Sequence, residues 1–167
     1  MEKREKAVPL LLFHLGEIVC ALPASAIREI VPMALLAQPP GLPRLLEGFL
    51  NLRGDIVPVV RSDRLFALAE RAPGLYSHIL ILRPHRHLMG MLVDSAREVF
   101  PADAEQLLAA PAGSSFHDCA RAVFRLGDQP VHVLAPDRLL LDIEQRAIAD
   151  FQAEAERRIS QLQRPPE

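Results

Sequence analysis

The sequence of 167 residues is poor in the residue types that mark several functional classes. It has no Trp, a single Tyr, two Cys, and only two Lys among its nineteen basic residues. Its net charge of −2, with both signs interspersed, lacks the basic footprint of a nucleic-acid-binding protein. No stretch approaches the ~20 apolar residues that span a bilayer. A chain of this length can bury about 70% of its unfolded surface, so we expect an aliphatic core that needs neither metal nor disulfide.

The N-terminal segment has some features of a secretion signal but lacks an apolar core of sufficient length. Charged residues up to Lys6 precede an apolar run, but His14 and Glu17 interrupt that run before it reaches the length of a signal core. Cys20 and Cys119 are far apart and have no metal-binding spacing, which is typical of buried thiols in a reducing compartment. We therefore expect a cytoplasmic protein.

A unit of two apolar runs joined by a turn recurs four times along the chain. Gly16, Gly54 and Gly127 mark three of the turns, and the segment 84–87 marks another. Short apolar runs separated by turn residues are typical of β-hairpins. Four hairpins predict a mostly antiparallel all-β protein, closed as one or two small barrels.

The segments between the hairpins differ in character. Residues 24–30 can form a helical turn or continue as strand, and three prolines make 37–43 a stiff, extended connection. Residues 63–68 are expected to form one or two helical turns. The Pro, Gly and Ser residues of 109–118 predict a surface loop.

The C-terminal part changes character after Asp142. Apolar residues recur there at helical spacing: Ile148, Phe151, Ala155, Ile159 and Leu162. This pattern predicts an amphipathic helix of about twenty residues. Either the helix packs across the barrels, or it docks against a partner.

No catalytic signature is present. The chain has no nucleophile elbow, no Walker phosphate loop and no dinucleotide-binding glycine motif. Residues 117–119 bring a base, an acid and a thiol together, but a working triad requires convergence in space. His85 and His87 flank an arginine whose charge would repel a cation, so no metal is expected. A small-ligand or enzyme module that uses His117, Cys119 and a pocket between the barrels is the competing hypothesis.

The corner at Asn51–Gly54 is the strongest candidate for a contact with another protein. A glycine that tolerates positive φ sits in a tight turn, which holds Arg53 out from the scaffold. Glu29 lies at the end of another apolar segment. If the two residues meet, the carboxylate could orient the arginine for a partner. Otherwise they are unrelated surface charges.

At these residues the chain resembles the CheW-type adaptors of bacterial chemosensory systems. The similarity extends over about residues 8–142 and follows the family's order of motifs. The matching pieces are Phe13-His14-Leu15-Gly16, Ala21-Leu22-Pro23, Ile27-Arg28-Glu29-Ile30, the proline-rich connection, residues 48–59 around Asn51-Leu52-Arg53-Gly54, residues 90–94, Glu98-Val99, and residues 134–140.

The resemblance implies a fold and a division into parts. The fold would be two interlocked five-stranded SH3-like barrels within residues 8–142. The second barrel, roughly 48–99, would be inserted into the first. Residues 143–163 would form the C-terminal helix. The resemblance also implies no enzyme activity and no cofactor.

The resemblance further implies the partners. Family members bridge the cytoplasmic tip of a methyl-accepting chemoreceptor to the regulatory domain of a CheA-type histidine kinase, beneath the inner membrane and without inserting into it. The expected partner-binding residues are Ile27, Glu29, Asn51, Arg53 and Gly54, with Glu29 and Arg53 as the family's acid–arginine pair.

Three departures from the family pattern stand out. Where the family usually has an acidic residue, Leu and a basic residue, this chain has Arg61-Ser62-Asp63, with the charges reversed. Phe66-Ala67-Leu68 lacks the glycine that commonly follows, and the tail after Asp142 is long. A further hypothesis is that this copy competes with or decouples a standard adaptor through the altered segment or the tail.

Overall fold

Two β-sheets make up most of the described chain. The computed structural model describes residues 7–83, 88–110, 116 and 119–163. The strands are β1 (Val8–Leu15), β2 (Ile18–Pro23), β3 (Ile27–Pro32), β4 (Leu46–Leu52), β5 (Asp55–Arg61), β6 (His78–Leu82), β7 (Met89–Val93), β8 (Ser95–Ala102), β9 (Leu108–Ala109), β10 (Ala120–Leu126) and β11 (Gln129–Leu134). The helices are α1 (Ser62–Leu65) and α2 (Pro136–Leu162), with 3₁₀ turns at Ala24–Ala26 and Ala104–Gln106. The expectation of a mostly β protein with short helices is confirmed.

The first sheet contains the first two strands of the chain and its last four. Its strand order is β8-β1-β2-β11-β10-β9. Neighbours are antiparallel except β2 and β11, which run parallel with Val19 opposite Val131. The sheet has six strands rather than the expected five because the two-residue strand β9 pairs with β10.

The second sheet is inserted in sequence between β2 and β8. Its order is β3-β6-β7-β5-β4, and only β5 and β7 run parallel. It extends from Ile27 to Val93, which differs from the expected 48–99. The 24–30 segment forms a 3₁₀ turn and then β3, which pairs with β6. At the other end β8 returns to the first sheet, where Phe100 packs against that sheet's core.

Strands buried on both faces link three clusters of apolar side chains. Successive side chains of a strand point to opposite faces. On β1, Leu10 and Leu12 therefore enter the core of the first sheet, whereas Leu11 and Phe13 enter the largest cluster. That cluster also contains residues of β5, β6, β7, α1 and α2, so it lies between the sheets. Uninterrupted apolar runs such as that of β1 are what this arrangement requires.

The helix α2 begins earlier than the sequence pattern suggested. It starts at Pro136 instead of residue 143, and Pro is favoured at a first helical position because its missing N–H would have no helical partner there. Leu139 and Ile143 are completely buried in the cluster between the sheets. The beginning of the helix is therefore part of the core, while the packing of the apolar stripe from Ile148 onward stays a prediction.

Farther along, α2 contacts the segment that leads into β4. The Asp150 carboxylate accepts a hydrogen bond of 3.0 Å from the backbone N–H of Leu45. Ile159 and Leu162 near the end of the helix are exposed. The side chains of three residues in the expected apolar pattern, Ile148, Phe151 and Ala155, lie outside the described part of the structure.

The proline-rich connection crosses the outer edge of β4. Ala37 and Phe49 exchange two backbone hydrogen bonds of 2.9 Å. The contact requires a glycine at position 48, since a Cβ there would lie 2.7 Å from the carbonyl oxygen of Ala37 and 2.8 Å from the Cβ of Leu36. The connection thereby covers part of an edge strand, as the extended conformation allows.

Candidate functional site

The β4–β5 turn consists of Arg53 and Gly54, both with positive φ. The angles are +50° and +93°, as expected for the two central residues of a type I′ hairpin turn. The side-chain oxygen of Asn51 accepts a hydrogen bond of 2.9 Å from the backbone N–H of Gly54. Nothing lies within 4 Å of the Cβ position of Gly54, so the turn projects into open space. Asn51 and Gly54 therefore fix the backbone from which Arg53 extends.

Arg53 and Glu29 form a two-pronged ion pair. The guanidinium Nη2 lies 2.5 Å from Oε1 of Glu29, and Nη1 lies 3.4 Å from Oε2. Glu29 is on β3 and Arg53 follows β4, and these are the two edge strands of the second sheet. The sheet must therefore curl until its edges approach each other. We call Glu29, Asn51, Arg53 and Gly54 the ion-pair corner.

The ion-pair corner keeps its positive charge accessible. The Arg53 side chain is 67% exposed and that of Glu29 is 28% exposed. The hydrogen bond from Arg53 to Glu29, and then the attraction of that carboxylate, raise the pKa of the guanidinium. An exposed pair of this kind adds little to stability because water and salt screen it. Its geometry is better suited to presenting an oriented arginine to another molecule.

Ile27 has a different position from the other expected contact residues. Its side chain is buried in the cluster between the sheets, so it supports β3 from beneath. A register shift between Ile27 and Glu29 interrupts the alternation of inward- and outward-facing side chains along β3, and Ile30 is 40% exposed. On the other side of the hairpin, Ile56 is 65% exposed. The period-two pattern of β5, with Val57 and Val59 buried, is the signal that could have identified Ile56 as outward-facing.

The charge-reversed residues Arg61 and Asp63 form a second, buried network. Nε and Nη2 of Arg61 donate to the two oxygens of Asp63 at 3.0 and 2.6 Å. Nη1 donates to Glu47 at 3.2 Å, and Nη2 also donates to the carbonyl of Arg71 at 2.9 Å. The Arg61 side chain is only 9% exposed. Its charge is therefore satisfied within the chain.

The carboxylate of Asp63 is the centre of that network. Burial by itself would raise its pKa, but hydrogen bonds from Arg61 and from the backbone N–H groups of Arg71 and Arg64 lower the pKa overall. The hydrogen bond with Asp63 raises the pKa of Arg61. Both groups are held in their charged forms.

The candidate nucleophile and metal ligands gain no support as a site. Cys119 is fully buried, while His117, His85 and His87 lie outside the described residues. Burial raises the pKa of the Cys20 thiol to about 12, which keeps it protonated. Among the residues that the structure describes, no three His, Cys, Asp or Glu side chains could hold a metal ion. In the same part of the chain, no helix has both the length and the apolarity to cross a membrane.

Comparison with known proteins identifies related sequences and a related fold. The profile of the CheW-like domain matches residues 9–144. The chain is 24% identical over 115 residues to the chemotaxis protein CheW of Treponema pallidum, covering 66% of this chain and 68% of that protein. It is 25% identical over 142 residues to the chemotaxis protein CheW of Klebsiella aerogenes, covering 84% and 85%.

A solved structure supports the fold independently. The crystal structure of the scaffolding protein TtCheW from Thermoanaerobacter tengcongensis superposes with a TM-score of 0.72 at 24% identity. The match covers 77% of this chain and 89% of that one. The two sheets found here are thus the sheets of that fold.

Proposed function

Because its match to the family profile spans most of the chain, this protein belongs to the CheW-like domain family, and we propose that it couples chemoreceptors to a CheA-type histidine kinase. It is a scaffold of chemotaxis signalling and not an enzyme. Its proposed partners are the cytoplasmic tip of a methyl-accepting chemoreceptor and the regulatory domain of the kinase. A scaffold acts by holding its two partners in place, so its function depends on the surfaces that bind them.

The observation that carries the proposal is the ion-pair corner. Both carboxylate oxygens of Glu29 accept hydrogen bonds from Arg53, yet two thirds of the arginine side chain is exposed. The position is held by a turn that has its own hydrogen bond and by the two edges of a sheet. An arginine held in this way loses little conformational freedom on binding, which favours recognition of a partner's carboxylate or carbonyl groups.

We also propose that the protein works in the cytoplasm, recruited to receptor arrays beneath the inner membrane without entering it. The cytoplasmic receptor tip is the contact that the family resemblance implies. The proposal agrees with the lack of a membrane-crossing helix among the described residues. Recruitment would then depend on protein contacts alone.

The test is the charge reversal Arg53→Glu. It removes the arginine, repels Glu29 and leaves the core untouched. We expect an unchanged circular dichroism spectrum and binding to a receptor tip or to the kinase regulatory domain at least about tenfold weaker, as for loss of an interface arginine. Binding is measured by titration calorimetry with each partner separately, so that the contact is assigned to one of them.

Arg125→Glu is the matched control, because Arg125 is also an exposed arginine next to a hairpin turn but belongs to the first sheet. This control should bind both partners as the wild type does. The double variant Glu29→Arg with Arg53→Glu restores an ion pair with opposite polarity, and it should remain weak if the partner recognises the arginine. Normal binding by a folded Arg53→Glu protein would remove the ion-pair corner from the proposed contact.

A further inference from the structure

A cavity of about 250 Å³ lies between the two sheets, away from the ion-pair corner. It is lined by the β1–β2 turn, the end of β5, the 68–77 connection and the end of β7. We call it the inter-sheet cavity. Its lining includes the aliphatic side chains of Leu15, Ile18, Leu68 and Leu92. Ligand sites commonly have such a lining with a few polar groups at defined positions.

Part of the lining of the inter-sheet cavity is held in place before anything binds. Arg61 and Asp63 line it, and the network described above satisfies both. The Asp94 carboxylate accepts a hydrogen bond from the backbone N–H of Gly16, which holds it beside the β1–β2 turn. Polar groups that are already in place lower the entropic cost of binding a ligand.

Two opposite charges flank Gly16 without pairing. The guanidinium of Arg71 approaches to 3.3 Å from the Cβ position of Gly16, and Asp94 binds the backbone of the same glycine. Within the described residues, no carboxylate lies within the 4.0 Å of an ion pair from Arg71. A cation and an anion therefore lie on either side of Gly16 in the lining of the cavity, each able to bind a partner of opposite charge.

The geometry points to a small zwitterion, and we propose that the inter-sheet cavity binds an apolar α-amino acid. The carboxylate of the ligand would bind Arg71, its ammonium group would bind Asp94, and its side chain would contact the aliphatic residues of the lining. The cavity is smaller than the roughly 300–1,000 Å³ of drug-sized sites, which restricts the ligand to this size. A simple carboxylate fits less well, because Glu17, Asp63 and Asp94 outnumber the two lining arginines.

The experiment compares three probes that share one branched apolar body. L-leucine carries both charged groups, 4-methylpentanoate carries only the carboxylate, and 3-methylbutylamine carries only the ammonium group. Each is titrated into the full chain at millimolar concentration by calorimetry, with thermal unfolding in parallel, since a ligand that binds only the folded state raises the unfolding temperature. L-methionine and L-phenylalanine test other apolar side chains.

We expect an amino acid to bind at least about tenfold more tightly than either single-charge probe, because each lost charge removes a charge-assisted hydrogen bond. The variant Arg71→Gln should weaken binding by a similar factor. It keeps the backbone N–H that donates to Asp63 at 3.0 Å, so this part of the lining stays intact. The control is Arg83→Gln, an exposed arginine outside the cavity, which should bind as the wild type does.

The variant Ala69→Phe introduces a ring at the cavity wall and should abolish binding without unfolding the protein. The proposal is overturned if none of the three amino acids binds, or if 4-methylpentanoate or 3-methylbutylamine binds as tightly as L-leucine. Binding that survives both Arg71→Gln and Ala69→Phe would place the ligand elsewhere and would overturn it equally. None of these outcomes depends on the receptor or kinase contacts.

Discussion

Two arginines of the same hairpin, eight residues apart, have opposite roles. Arg53 sits at the β4–β5 turn with a 67% exposed side chain and a single carboxylate partner. Arg61 ends β5 with a 9% exposed side chain, and it binds two carboxylates and a carbonyl. The same chemical group therefore presents charge at one end of the strand and holds the fold together at the other.

The comparison also bears on Arg61 and Asp63, whose charges we expected to be reversed relative to the family pattern. Arg61 and Asp63 pair with each other, and their other partners, Glu47 and the backbone N–H of Arg71, match these charges. A buried, paired charge offers little to a partner. The pairing of Arg61 with Asp63 therefore favours a role in holding the fold over a role in choosing the receptor or the kinase.

The largest expected effect comes from breaking the buried network. Arg61→Ala would leave Asp63 and Glu47 without their shared cation, and loss of one partner of a buried ion pair should lower the free energy of unfolding by about 3 kcal/mol. Urea denaturation followed by circular dichroism measures this. The exchange Arg61→Asp with Asp63→Arg should not recover the loss. Glu47 and the carbonyl of Arg71 would then face an aspartate, and the backbone N–H groups of Arg64 and Arg71 would face an arginine. A folded Arg61→Ala protein with wild-type stability would mean that the network does not hold the fold.

A smaller and pH-dependent effect is expected for Asp63→Asn. The amide keeps the shape but removes the charge, which should cost about 2 kcal/mol at neutral pH. Because the folded-state pKa of Asp63 lies below its unfolded value, the stability due to its charge is present above about pH 4 and is lost as the pH falls toward the folded pKa.

The measurement for Asp63→Asn is a series of urea titrations between pH 7 and pH 3 for the wild type and the variant. Their difference in unfolding free energy should stay constant down to about pH 5 and then shrink. A difference that does not change over the whole range would show that the charge of Asp63 is not what stabilises the network.

The turn glycine of the ion-pair corner should show a smaller effect on stability but a clear one on binding. Gly54→Ala places a side chain at φ +93° and should cost about 1 kcal/mol. Gly127→Ala is the matched control, because Gly127 has φ +63° in the β10–β11 turn and also faces open space. Both variants should lose similar stability in urea, and only Gly54→Ala should weaken partner binding in calorimetry. If Gly54→Ala and Gly127→Ala weakened partner binding equally, the β4–β5 turn would have no specific role in recognition.

The smallest effect on stability is expected for Arg53→Ala. The exposed ion pair contributes little to folding, so the urea midpoint should remain that of the wild type while partner binding weakens. If the urea midpoint of Arg53→Ala fell as far as that of Arg61→Ala, the two arginines would contribute equally to stability and the contrast between them would be wrong. Salt provides a second check, because raising the ionic strength should weaken partner binding if Arg53 contributes its charge.

The hairpins and the arginine turn could be predicted from the sequence because their signals are local. Alternating apolar runs and positive-φ glycines reflect the backbone itself, and the possible meeting of Glu29 with Arg53 followed from two segment ends. The Pro136 start of α2 was also visible in principle, as a proline followed by an acidic residue. The role of these residues in partner binding stays a prediction.

The contacts of Glu47 and Arg71 with the Arg61 network could not be predicted, because these residues meet Arg61 and Asp63 only in the folded chain. Glu47 lies in a register shift between Leu46 and Gly48, which brings its carboxylate to Arg61 across the hairpin. Gly48 inside an apolar run is a sequence sign of a bulge, but it does not tell which side chain the bulge brings to Arg61. The assignment of β3 to the second sheet was missed for a related reason, since β3 pairs with β6 across the long proline-rich connection.

The parallel pairing of β2 with β11 imposes an order on the folding of the nascent chain. As the chain leaves the ribosome, all five strands of the second sheet are available once Val93 has emerged. The β1–β2 hairpin gains its second neighbour of β2 only when Val131 of β11 arrives opposite Val19. Until then one edge of β2 is open to solvent, as a template for unintended pairing with other chains. The interlocked layout thus makes the oldest part of the nascent chain the last to be completed.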